Sequence, residues 1–357
     1  MSRLLGRITA PGVFAQVRQV TPVRPDAARG VVAKVYAQTV RDFGMLAPPV
    51  ILHSPAPPVL AAGWAMLRES LLVSGTVDRV TKELVAREVS AGNACPYCAD
   101  VHGATLRALP GHRDARLAPA AAWARASATA ATAWREPPVS GPGGAELVAV
   151  VVTFHYLNRM VNVFLGDSPL PPGVPRGARG PAMRLFGLLM RPAARRAAVP
   201  GASLDLLPAA PLPPDLSWAA DAPHLAGAFA GAAASIEEGG RRALPDRVRA
   251  LVADRVAAWE GGPAGLGRGW AARAAAELPG AERPAARLAL LTALSSYQVD
   301  RETIADFLRA GFGERALVEA TAWASLTAAR RVGAWSTRVR SAEPVPPEPS
   351  PDERTQP

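Results

Sequence analysis

The stretch TVDRVTKELVAREVSAGNACPYCADVHGATLRAL, residues 76–109, decides the fold. Within Val77–Ser90 the apolar residues Val77, Val80, Leu84, Val85 and Val89 recur at three- and four-residue steps, the spacing of one helical face. In Cys95–Leu109 the residues Cys95, Cys98, His102, Leu106 and Leu109 fall on one face in the same way, so a second helix follows the first. That second helix is expected to start near Asn93, whose side chain would cap its free N–H groups.

The same composition extends in both directions. Pro25–Phe43 and Pro58–Leu72 suit helices of a few turns, and Gly144–Phe164 and Ala316–Trp335 are long and apolar on one side; with few β-branched alternations along the chain, this predicts an all-α protein. Gly166–His224 is dense in Pro and Gly and is expected to be a linker, with one short helix around Ala182–Met190. Ala342–Pro357 is rich in Pro and charge without an apolar anchor and is expected to be a disordered tail. Val77-Asp78-Arg79-Val80 recurs as Pro245-Asp246-Arg247-Val248, an offset of 168, and Glu146-Leu147-Val148 is echoed by Ala316-Leu317-Val318. These echoes suggest two fused helical units. The expected division is a first domain 1–165, a linker 166–224, a second domain 225–338 and a tail 339–357.

Composition narrows the function. With 49% hydrophobic but only 6% aromatic residues, the core must be built mostly from Ala, Val and Leu. The 40 basic residues include just two lysines, Lys34 and Lys82, and no run of five or more, so the net charge of +10 reads as an arginine bias rather than a nucleic-acid surface. Two cysteines in 357 residues exclude a disulfide-knit secreted fold and suggest a reducing, cytoplasmic setting. The N-terminus lacks an apolar run of signal-peptide length, and the apolar stretches Leu147–Phe154 and the Leu185–Met190 region are shorter than a bilayer span. No membrane association is expected. Gly141, Gly143 and Gly144 lack the flanking features of a phosphate loop, so no nucleotide cofactor is expected either.

The chemistry gathers at Cys95-Pro96-Tyr97-Cys98 and His102. A thiol in the first turn of a helix feels the positive end of the dipole, and a histidine one turn further can exchange its proton; both favour thiolate. Two thiols three positions apart can also close into a disulfide and be reset by exchange. Three other readings compete. The stripe could be plain core. Cys95, Cys98 and His102 supply three zinc ligands, but no second Cys/His pair follows to close a tetrahedral site. Haem attachment fails because Ala99, not histidine, follows Cys98.

The window Glu83-Leu84 … Cys95 … Cys98 … His102 … Thr105-Leu106-Arg107 resembles the core motif of the alkylhydroperoxidase AhpD-like proteins of the carboxymuconolactone decarboxylase-like superfamily. The glutamate twelve residues before the first cysteine and the histidine four after the second match that pattern. The resemblance implies an all-α fold of AhpD-like units and a thiol-dependent peroxidase or thiol-disulfide oxidoreductase. Cys98 would be the thiol oxidised by a hydroperoxide, Cys95 its resolving partner, and Glu83 with His102 the proton relay. Electrons would come from an external thiol, a lipoyl group or a protein dithiol, and relatives form symmetric assemblies, so a homo-oligomer is implied. Position 97, a histidine in some members, is Tyr97 here, which removes one proton carrier.

The residues alone rank the acids differently. On a helical wheel the apolar face of Val77–Ser90 centres near Glu88, while Glu83 falls on the polar side between Arg79 and Arg87, where it would be a solvated ion-pair residue. Glu88 is therefore the rival acid. In the second half, the counterparts of Cys95, Cys98, His102 and Glu83 are Pro263, Leu266, Trp270 and Leu251, none of which ionises. His155 is expected in the core, and His53, His112 and His224 at the surface. Trp123, Trp134, Trp259, Trp323 and Trp335 read as core or interface fillers. Two alternatives to a peroxidase remain: a cofactor-free lactone decarboxylase, or a non-catalytic, redox-sensing helical module.

Overall fold

The computed structural model describes residues 12–133, 136–171 and 173–336. Its helices of nine or more residues begin with α1 (Gly30–Gln38), α2 (Pro57–Leu67), α3 (Arg79–Gly92), α4 (Pro96–Ala108), α5 (Ala118–Ala126) and α6 (Pro142–Phe164). They continue with α7 (Arg176–Ala194), α8 (Pro223–Ala243), α9 (Asp246–Ala257), α10 (Arg283–Ser295), α11 (Arg301–Arg309) and α12 (Glu314–Ser336). The only β pairings among the described residues are two isolated bridges, Val73 with Ala198 and Thr129 with Gly261. The fold is all-α, as expected.

Local signals set the helix starts. Prolines occupy the first turn of α2, α4, α6, α8 and α10, where the missing N–H is not needed. Asp78 and Asp300 cap α3 and α11 by accepting from the backbone N–H of Thr81 and Thr303 at 2.7 and 2.9 Å. α1 and α2 each run on into a π turn, Thr39–Phe43 and Arg68–Leu72, which extends them to the ends read from the sequence.

One apolar cluster runs through both halves of the chain, from Val35 and Val85 to Leu291 and Val332. At its centre α6 packs against α3 and α12. By length and a mean hydropathy of 1.4, α6 is able to cross a bilayer, which the shorter apolar stretches did not suggest; 94% of that window is buried inside the molecule, the mark of a core helix.

Residues 166–224 are more ordered than their Pro and Gly content suggests. They carry the 19-residue α7, which runs through Pro181 and Pro192 and exceeds the short helix expected at Ala182–Met190. Its buried residues Met183, Gly187, Met190 and Ala194 form a stripe against α4, and this packing overrides the local breakers. At Gly187 a Cβ would lie 2.3 Å from the carbonyl oxygen of Ala104, so only glycine allows α7 to approach this closely.

Among the aromatic residues, Trp123, Trp323 and Trp335 are buried and Trp259 is half-buried; Trp134 lies outside the described residues, as does the 339–357 tail. His53 is not at the surface. It is fully enclosed, its Nε2 sits 2.9 Å from the Tyr156 hydroxyl, and burial pushes its pKa down to about 4. The Pro-flanked sequence around it marks a tight turn, but one packed beneath α2 and α6 rather than facing water. His112 and His224 are half-buried, and His155 is a core residue as expected.

Candidate active site

Three helices build the site. α3 supplies Glu83 and Ser90, α4 supplies Cys98 and His102, and α6 supplies Phe154 and Asn158. The link between α3 and α4 differs from the expected Asn93 cap. Asn93 ends α3, and Cys95 is the residue before the first turn of α4, with no side-chain cap. Ala94 takes a left-handed conformation, φ +49°, which costs a non-glycine residue about 1–2 kcal/mol. The turn is closed by the Cys95 N–H donating to Ser90 O at 3.0 Å, and the Cys95 carbonyl accepts the Ala99 N–H at 3.1 Å. This geometry places both sulfurs inward.

Both thiols are free and buried, with residue exposures of 1% for Cys95 and 3% for Cys98. The two side chains are neighbours, and the influence of Cys95, followed by burial, pushes the Cys98 thiol above its ordinary value. Asn158 works the other way: its amide hydrogen-bonds Cys98 and favours the thiolate. Asn158 is held in place, its Oδ1 accepting from Asn93 Nδ2 and its Nδ2 donating to Ser90 Oγ, both at 3.0 Å. The expectation that the helix dipole leaves a thiolate at rest therefore does not hold for Cys98. Its proton must leave when it reacts.

A base lies on the same helix face. His102, one turn beyond Cys98, holds its Nδ1 2.7 Å from Glu83 Oε2 and meets the Phe154 ring edge-on. Glu83 also accepts from Arg79 Nε and Nη2 at 2.8 and 2.6 Å. Burial opposes its ionisation, but the charge of Arg79, then that of His102, outweighs burial and holds the carboxyl below its usual value. A carboxylate only accepts, so His102 Nδ1 carries the proton and a neutral ring keeps its lone pair on Nε2.

The wheel misplaced Glu83. The face it assigned to solvent packs against α4, and Glu83 is 1% exposed. Glu88 is buried too, but its partners are Arg87 and, at 2.8 Å, Arg125 of α5; among the described residues no hydrogen bond or ion pair joins it to the histidine or the thiols. The structure thus brings Glu83, His102, Cys98 and Cys95 together and leaves Glu88 apart.

Cys98 and His102 open onto an apolar cavity of about 160 Å³ walled by Phe43, Met45, Leu67, Val101, Phe154 and Phe186. Tyr97 closes one side and donates to Gln16 Oε1 at 2.9 Å; burial raises its pKa, so it remains a neutral donor. Asn158, Gln16 and Phe186 were not singled out as site residues from the sequence, since each arrives from a distant segment. Leu266, which the sequence offset of 168 sets against Cys98, is fully exposed.

Fold, motif and site geometry define the class. The chain belongs to the carboxymuconolactone decarboxylase family, within its AhpD-like members; the family model matches residues 58–136, the span from α2 past α5 that holds both cysteines. It is 39% identical over 334 residues to the protein named alkyl hydroperoxide reductase Rv2159c of Mycobacterium tuberculosis, an alignment covering 89% of this chain and 94% of that relative. No solved structure matches.

Proposed function

We propose that the protein is a thiol-dependent peroxidase that reduces organic hydroperoxides through Cys98 and Cys95. One arrangement carries this reading: Cys98, with Cys95 beside it, lies at the wall of an apolar cavity, and His102 on the same wall is fixed by a buried carboxylate. The name of the mycobacterial relative points the same way. An apolar pocket of this size suits an alkyl hydroperoxide better than hydrogen peroxide, which has no hydrocarbon to bury.

The steps from peroxide to disulfide balance with these groups and the peroxide. His102 Nε2 takes the Cys98 proton as the sulfur attacks the terminal peroxide oxygen. The O–O bond breaks, and the departing alkoxide takes the proton from His102 and leaves as an alcohol. Cys98 is then a sulfenic acid. Cys95 attacks its sulfur, the hydroxyl leaves as water with the Cys95 proton, and a disulfide remains. An external dithiol, or two monothiols, reduces that disulfide by exchange and is itself oxidised. Glu83 keeps the imidazole in the tautomer that can accept a proton and stabilises the imidazolium, while Asn158 stabilises the Cys98 thiolate.

The test is peroxide consumption with a dithiol donor. Cys98→Ser should abolish turnover, and Cys95→Ser should accumulate a sulfenic acid or mixed disulfide at Cys98. Equal activity in the wild type and the double serine variant would remove the proposal. Burial of both sulfurs favours one second reading, a redox-responsive clasp; it predicts a single stoichiometric oxidation instead of repeated turnover.

A further inference from the structure

Next to the apolar cavity lies a much larger open cleft, of about 1310 Å³, formed by the segment from Gly12 to Arg18, the outer face of α4, residues 166–171 and α7. Five arginines line it: Arg18, Arg107, Arg113, Arg179 and Arg184. Some arginines elsewhere pair with carboxylates, as Arg330 with Asp215 and Arg242 with Glu319. None of these five guanidinium groups has an ion pair or hydrogen bond among the described residues. The acidic groups on the same walls are Asp100 and Asp167, so positive charge prevails.

The two spaces meet at one residue. Gln16 lines both, and its side chain accepts the Tyr97 hydroxyl that borders the cysteine pocket. Pro96, between the two site cysteines in sequence, also faces the cleft, and Met183 and Leu188 give it apolar surface. A cationic cleft leading past one polar side chain into a hydrocarbon-lined pocket matches one kind of molecule: an amphiphile with an anionic head, an alkyl chain and an apolar end.

We propose that the cleft binds the carboxylate end of the peroxide substrate, so that the preferred substrates are hydroperoxides of long-chain fatty acids. The apolar end would fill the pocket beyond Cys98, the peroxide would lie at the sulfur, and the chain would run past Gln16 to the arginines. This rests on the peroxidase reading, so its test includes a measurement that needs no turnover.

The probes are linoleic acid hydroperoxide with the peroxide toward the methyl end, its methyl ester, and the matching hydroxy acid and hydroxy ester. All are used below their micelle concentrations. By calorimetry the wild type should bind the hydroxy acid about tenfold more tightly than the hydroxy ester, the effect of one charge-assisted contact. In the double variant Arg179→Glu/Arg184→Glu, both on the exposed side of α7, that preference should vanish while ester binding is unchanged. The acid's KM advantage in turnover should vanish with it, and rates with tert-butyl hydroperoxide should stay at the wild-type level. Equal wild-type binding of hydroxy acid and hydroxy ester would overturn the proposal, as would a preference that survives charge reversal. If no peroxide is reduced by any form, the peroxidase reading fails, and the binding preference still decides the cleft.

Discussion

Replacing Glu83 by Gln tests the relay at its most buried charge. The substitution keeps the shape but removes the carboxylate that accepts from His102 Nδ1 at 2.7 Å and from Arg79 at 2.6 and 2.8 Å. A neutral amide can donate to His102 Nδ1, which favours the tautomer with its proton on Nε2, unable to take the Cys98 proton. Loss of a positioned base of this kind costs two to four orders of magnitude in rate. Stability should fall less, by about 1–3 kcal/mol, because the amide oxygen still accepts from Arg79, and the Arg79 side chain, 16% exposed, can turn to water. The sign of the pH effect follows from the depressed Glu83 carboxyl. Its contribution to stability is fully present above the ordinary value near 4.5 and is lost as pH falls through the lower folded value. Peroxide turnover and urea unfolding at pH 7, followed by unfolding from pH 6 to 3, separate the two effects. Turnover within about twofold of wild type in a folded E83Q protein would refute the relay, whatever the stability result.

Asn158→Ala should raise the Cys98 thiol further, seen as slower alkylation at fixed pH and a thiolate ultraviolet band displaced to higher pH. An unmoved titration would show that Asn158 only supports packing. Gly187→Val would drive a side chain into the Ala104 carbonyl, so α7 should lift from α4. The expected loss is about 1–3 kcal/mol with faster labelling of Cys98, and unchanged labelling would count against α7, through Phe186, as a wall that shields the pocket. His53 binds its proton less readily folded than unfolded, so it destabilises the fold progressively as pH drops from 6.5 toward about 4. That loss is up to about 3 kcal/mol; His53→Gln, which can still accept from Tyr156, should flatten this limb of the acid unfolding curve.

Much of this was legible along the chain. The helix windows around Val77–Ser90 and Cys95–Leu109 carry the periodicity that folds them, and the spacing from Glu83 through the cysteines to His102 marks the motif. The wheel failed at Glu83 because it assumes one wet face, whereas α3 is covered by α4, α5 and α6. Asn93 was misread as a cap because the turn is closed instead by backbone bonds around a left-handed Ala94, which no side-chain pattern announces. Gln16 and Phe186 lie far from the motif in sequence, so only tertiary packing brings them to it. α7 was obscured by its prolines, since local propensity outvoted a buried stripe that exists only once α4 is in place.

The apolar cluster that threads both halves has a consequence for how the molecule comes apart. The central 23-residue helix α6 leans on the equally long α12, whose residues lie some 170 positions further along. Neither half can shed the other without wetting a seam of valine, alanine and leucine. The chain should therefore melt in one calorimetric step, and the cysteine pocket should lose its shape together with the distant C-terminal half, which holds no reactive group of the site.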